Sequence, residues 1–204
     1  GYESEALLGR WMKARKNRSS LFLATKVGFE IPSHGVERGL RAATIIQECE
    51  KSLRNMGVET IDLYYAHCDD PDTPLEESLN AFDQLVKKGK VRAIGASNYM
   101  AWRLEEARWT SRAHGWNEFC CVQQRYTYLR PRPGASFYPQ LVANEDVLQY
   151  CKRRPITLLA YSPLLRGAYV RHDREIQAQY LGTDTDARLA ALRQVATDRG
   201  ITAN

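Results

Sequence analysis

Polar residues recur where short apolar runs of this chain end: Lys26, His67, Ser97 with Asn98, Gln123, and Tyr161 with Ser162. An ammonium group such as Lys26 is costly to bury unless something pairs with it or uses it, and beside a weak acid it would lower that acid's pKa. From position alone it could equally be a lysine reaching out to solvent from a strand end. His67 is either an acid–base group or a structural histidine. It opens the string His67-Cys68-Asp69-Asp70, which raises a metal site. Neighbours along a strand point to opposite faces, however, and no second ligand cluster follows, so no metal is expected. Ser97 and Asn98 could simply cap the next helix. Gln123 is a buried-amide candidate, either bonded within the core or touching a ligand. Tyr161 could be core or a stacking platform. Ser162-Pro163-Leu164 and Gly167 form a turn whose backbone N–H groups could meet phosphate oxygens.

These residues need elements to hold them. The apolar, β-prone runs are 21–26, 61–67, 91–97, 119–123 and 156–161, each apolar on consecutive residues, as for strands buried on both faces of a parallel sheet. Helical patterns lie between them. Leu7, Leu8, Trp11 and Met12 form a stripe with Ser4 as the expected N-cap. Ile46, Cys49, Leu53 and Met56 form another that stops at Gly57. Thr73-Pro74-Leu75-Glu76 reads as a capping box with Pro at the first helical position. It opens a helix carrying Leu75, Leu79, Phe82, Leu85 and Val86 and closed by Gly89. Further helices are expected over 102–114, 145–152 and 186–199.

Strands alternating with helices give right-handed βαβ units in one parallel sheet. No G-x-G-x-x-G or P-loop occurs, so an open dinucleotide-binding sheet lacks its fingerprint. The polar residues gather at the C-terminal ends of successive strands, which is the rim where a TIM-type (β/α)8 barrel carries its site. The α/β class is therefore expected as such a barrel. Five strands cannot close it, so the chain is expected to form a partial barrel domain over residues 1–204, with two strands in front and at least one behind. The segment 125–143, containing Arg130-Pro131-Arg132-Pro133-Gly134, is longer than a routine connection and is expected to be either a functional rim loop or a mobile one.

The net charge of +5 is mild and scattered, so nucleic acid is not an expected partner. No apolar stretch approaches the roughly 20 residues of a membrane helix. Cys49, Cys68, Cys120, Cys121 and Cys151 make an odd count with an adjacent pair inside an apolar run, which reads as buried free thiols and a cytoplasmic setting.

The ordered set resembles the aldo-keto reductases. The matching pieces are Ser4-Glu5-x-x-Leu8-Gly9, Ala24-Thr25-Lys26, Ser52-Leu53, Ile61-Asp62-Leu63-Tyr64 with His67, and the run from Gly89 to Asn98. Val122-Gln123 and Ala160-Tyr161-Ser162-Pro163-Leu164 complete it. Trp102 and the Leu164-x-Arg166-Gly167 turn are most similar to the branch of aryl-alcohol dehydrogenases and potassium-channel β subunits. The resemblance implies NADPH-dependent reduction of a small aldehyde or ketone, with a tyrosine donating the proton. It assigns Lys26 to lowering that tyrosine's pKa and His67 to orienting the carbonyl oxygen or helping relay the proton. Ser97, Asn98 and Gln123 would bond the nicotinamide carboxamide, Tyr161 would stack on its ring, and Ser162, Pro163, Leu164, Arg166 and Gly167 would hold the pyrophosphate.

Two family features fall elsewhere. The tyrosine and its aspartate belong to an Asp-Thr-Ala-x-x-Tyr motif upstream of the Ser4-Glu5 position, and Tyr2 stands closer to Ser4 than that spacing allows. The basic residues that grip the 2′-phosphate of NADP lie past the position of Asn204. A regulatory, nucleotide-binding subunit and a catalytically incomplete fragment are the alternative readings. Nothing in the residues sets an oligomeric state.

Overall fold

The structure, a computed structural model, describes residues 2–204. Its main elements are α1 (Glu3–Arg15), β1 (Ala24–Val27), α2 (Ala42–Met56), β2 (Ile61–Ala66), α3 (Leu75–Lys87), β3 (Val91–Ser97), α4 (Ala101–His114), β4 (Cys121–Arg125), α5 (Glu145–Arg153), β5 (Thr157–Tyr161) and α6 (Thr185–Asp198). The strands form one parallel sheet in chain order, β1-β2-β3-β4-β5. A doubly wound sheet would reverse direction at a switch point, whereas unbroken order with helical crossovers is the wiring of a TIM-type barrel. The chain supplies five strands of that fold. Among the described residues no helix is long and apolar enough to cross a membrane.

The two faces of the sheet differ. Outward, Tyr64, Ala66, Ile94, Ala96 and Val122 pack with helix residues such as Ile45, Leu53, Leu79 and Phe82 in the main core. Inward, Leu63, Tyr65 and Cys121 cluster with Ala93 and Leu159. Gly95 makes that inner packing possible, because a Cβ there would stand 2.8 Å from both Cys121 Sγ and the Tyr65 ring. Strand residues alternate in period two, so the register of Lys26 with Tyr65, Ser97 with Gln123 and Arg125 with Tyr161 places all of them on the inner face.

Several expectations are corrected. The first strand begins at Ala24, not Leu21, because Leu23 is held by side chain: its N–H donates to Asp62 Oδ2 at 2.8 Å. The fourth runs from Cys121 to Arg125, and Phe119 instead packs edge-on against Phe82 and Tyr99. Burial on both faces holds for β2, which is buried throughout. It fails for β5, where Thr157, Ala160 and Tyr161 are exposed and no described strand lies beyond. Cys120 is exposed rather than buried.

Helix α1 does not bury the stripe of Leu7, Leu8 and Trp11, which are exposed; only Met12 is buried. It docks instead by close approach. A Cβ on Gly9 would lie 2.8 Å from the Asn55 and Met56 carbonyl oxygens, and the Glu5 carboxylate accepts from Thr25, Ser52 and Asn55. Its cap position is Tyr2, so Ser4 lies inside the helix. At α3 the capping box is absent. Thr73 Oγ1 donates to Asp70 Oδ2 at 2.7 Å, and Pro74 takes the cap position. The stop of α2 at Gly57 is observed, with φ of 64° in the left-handed region.

Candidate active site

The C-terminal ends of the strands bring most of the singled-out residues into one row. Lys26 is the penultimate residue of β1. Its Nζ lies 5.0 Å from the Tyr65 ring centroid, and it has no carboxylate or hydrogen-bond partner among the described residues. Burial lowers its pKa, partly offset by Tyr161 and Cys121. His67 follows β2 directly. Its ring stacks on Phe29 with centroids 3.9 Å apart and planes 26° apart. Burial, then the Lys26 charge, pushes its pKa down to about 4, so the imidazole is neutral at pH 7.

Ser97 and Asn98 tie the row together. Ser97 Oγ donates to the Gln123 carbonyl at 2.9 Å. Asn98, held at φ of 58°, donates from Nδ2 to the His67 carbonyl at 2.9 Å and to Ser97 Oγ at 3.1 Å. Its Oδ1 accepts from the Leu141 N–H at 2.9 Å. These two side chains therefore span three strand ends and the loop after β4. Gln123 is different. It is half-buried on the inner face, and its side-chain amide has no hydrogen-bond partner among the described residues.

Tyr161 ends β5 with 39% of the residue exposed. Beyond it, Ser162, Leu165, Arg166 and Gly167 all adopt positive φ. Three of the four are not glycine, a strained backbone of the kind that gathers at ligand sites. Within this turn the Tyr169 hydroxyl donates to the Pro163 carbonyl at 3.1 Å, while Leu164 is exposed. The turn borders a cleft of about 260 Å³ with Tyr161, Arg125, Arg166 and Arg174 on its walls. A larger cavity of about 670 Å³ lies between α4 and α5, against Trp102 and Gln124. None of the row's residues lines it, and Gln124 belongs to the other face of β4, so we place the site at the strand ends.

Arg125 was not expected from the sequence. It ends β4, is only 6% exposed, and its guanidinium lies 5.3 Å from the Tyr161 ring centroid. The available signal was the inward period of 121, 123 and 125, which outlasts the apolar run. Tyr2 is excluded as a member of the row. Its hydroxyl donates to Glu48 on α2, and its ring lies under Lys51. No group of three or more potential metal ligands occurs among the described residues.

Comparison with known proteins matches this geometry. The family model described as "Aldo/keto reductase family" covers residues 1–204. Aldo-keto reductase str7 of Strobilurus tenacellus is 34% identical over 171 residues, 81% of this chain and 44% of that protein. Aldo-keto reductase yakc [NADP(+)] of Schizosaccharomyces pombe is 32% identical over 171 residues, 80% of this chain and 45% of that protein. The crystal structure of a thermostable aldo-keto reductase in complex with the inhibitor epalrestat superposes with a TM-score of 0.71 at 28% identity, over 98% of this chain and 60% of that one. The chain thus spans about half the length of the curated relatives it matches. With the sheet order, the strand-end row and the match over its whole length in agreement, the chain belongs to the aldo/keto reductase family of oxidoreductases.

Proposed function

We propose that the protein reduces aldehydes or ketones with NADPH, and that residues 1–204 form part of a single barrel domain carrying the nicotinamide pocket and half of the proton-transfer site. The observation that carries this reading is the inner-face row itself. Lys26, His67 and Gln123 present an ammonium, a neutral imidazole and an amide with no hydrogen-bond partner among the described residues. Buried polar groups are normally satisfied, and a cluster left open at strand C-termini is what a ligand would complete.

The residues fit a nicotinamide nucleotide. Gln123 has a free amide for a carboxamide, and Tyr161 shows an open ring for stacking. Ser97 and Asn98 hold the Gln123 strand end in place, and the turn from Ser162 to Gly167 offers strained backbone beside Arg166. When bound, the nucleotide would supply the hydride. One relative carries NADP(+) in its name, which supports the phosphorylated form.

His67, neutral at pH 7, can offer an N–H to a carbonyl oxygen. Burial pulls the pKa of Lys26 itself down, and as an ammonium in that half-buried place it would lower the pKa of an adjoining phenol. Tyr65 is not that phenol. Burial raises its pKa well above the ordinary value, and the Cys121 thiol donates to its oxygen at 3.5 Å. In this reading the donor is the tyrosine of the Asp-Thr-Ala-x-x-Tyr segment that the family carries upstream of the Ser4-Glu5 equivalent. Steady-state oxidation of NADPH in the presence of nitrobenzaldehyde tests the proposal. Binding of NADPH without carbonyl turnover would instead favour a nucleotide-sensing subunit.

A further inference from the structure

Arg125 is a full positive charge inside the rim with nothing negative against it. Its Nη1 donates to Gln177 Oε1 and to the Tyr180 hydroxyl at 3.3 Å each, and Nη2 donates to Gln140 Oε1 at 2.5 Å. Nε has no partner. No carboxylate lies within ion-pair distance of it among the described residues. Of the acids lining the adjoining cleft, Asp173 is held by Arg171 and Arg174, and Glu175 is exposed. The cleft's other cations, Arg166 and Arg174, add to the same sign.

The guanidinium lies instead between two rings, 4.4 Å from the Phe137 centroid and 5.3 Å from that of Tyr161. Neutral acceptors ease the burial of a cation without cancelling its charge, and a low-polarity surrounding transmits that charge to its neighbours. A cation held against one ring draws on the π electrons that would attract a second cation. Tyr161 is thus a platform already engaged by a positive charge, with much of its ring still open.

We infer that Arg125 is a specificity-determining residue acting through Tyr161: it makes the platform favour the neutral dihydronicotinamide of NADPH over the cationic nicotinamide of NADP+. The inference rests on the nicotinamide pocket proposed above and adds to it a discrimination between the cofactor's two charge states.

The test is isothermal titration of NADPH and of NADP+ into the wild-type protein, Arg125→Gln and Arg125→Lys at matched ionic strength. The wild type should prefer NADPH, and Arg125→Gln should lower the ratio of the two affinities about tenfold. Arg125→Lys keeps the charge and should keep most of the ratio. Should Arg125→Gln fail to fold, Phe137→Leu opens Arg125 to water and should lower the ratio about threefold through screening alone. A residue that only clamps the rim loops would weaken both nucleotides together, and an unchanged ratio in the folded variant overturns the inference. Failure of either nucleotide to bind the wild type is a different result, which removes the pocket itself.

Discussion

The two ends of the same strands treat charge in opposite ways. At the N-terminal end of β2, Asp62 is 2% exposed and fully answered. The Leu23 N–H reaches it at 2.8 Å, Arg18 at 2.8 Å and Arg92 at 2.6 Å. Burial alone would raise its pKa, but those partners outweigh it and hold the carboxylate below its ordinary value. At the C-terminal end, Lys26 is half-buried with its Nζ 5.0 Å from the Tyr65 ring centroid and no hydrogen-bond or carboxylate partner among the described residues, and His67 and Gln123 have open polar atoms. Under the proposed function, a fold that satisfies one end and leaves the other open divides its ends between stability and ligand binding.

The sharpest way to break that division is to exchange consequences between its ends. Lys26→Met removes a desolvated cation that no described group neutralises, so folding should be unharmed while carbonyl reduction falls by about a hundredfold or more. Turnover with NADPH, read beside the thermal midpoint, checks both halves. Retained turnover would take Lys26 out of the mechanism.

Asp62→Ala should do the reverse. Leaving Arg18 beside an empty place costs about 3 kcal/mol, and the midpoint should fall by roughly 6–12 °C for a domain of this size. Activity per folded molecule should be preserved. The pH dependence has a definite sign. A depressed carboxylate stabilises the fold above its unfolded pKa, and that stability is lost as pH falls through the folded value. The variant should therefore lose part of the acid limb seen in the wild type, as followed by denaturant melts at several pH values.

How much of this contrast could be read from the sequence depends on which force sets each boundary. Lys26, His67, Ser97 and Tyr161 were legible because apolar runs end at or beside them, and a parallel barrel strand is apolar until it meets the rim. Arg125 was not, because the ladder of β4 continues on backbone hydrogen bonds after the apolar run has stopped. The helix before β1 misled for a related reason. Its contact with α2 is made by Gly9 and the Glu5 carboxylate, and neither contributes to an apolar stripe. At α3, Asp70 takes Thr73 for its own loop, which no local capping pattern announces. The open state of Gln123 also needed the structure, since an amide in a strand is silent about its partners.

Tyr161→Ala probes the ligand end more gently. Loss of the stacking ring should weaken NADPH binding by about tenfold, without the loss of folding expected for Asp62→Ala. Titration calorimetry on the folded variant decides it, and unchanged affinity would count against the platform.

The smallest effect concerns His67, and it asks whether openness at the ligand end is also dryness. Packing against Phe29 and the charge of Lys26 hold the imidazole neutral down to a pH of about 4, against an ordinary 6.5. Between those values the unfolded chain binds a proton that the folded one refuses. This group therefore makes stability decline as pH falls through that window and contributes no slope above it. Histidine NMR, assigned with His67→Gln, should show a midpoint near 4. Burial is the larger cause, so Phe29→Ala should move the midpoint up further than Lys26→Met does. A wild-type midpoint at the ordinary value would mean that water already reaches the ring. The contrast between the two ends would then be one of hydrogen bonding alone, without the exclusion of solvent that a hydride-transfer site requires.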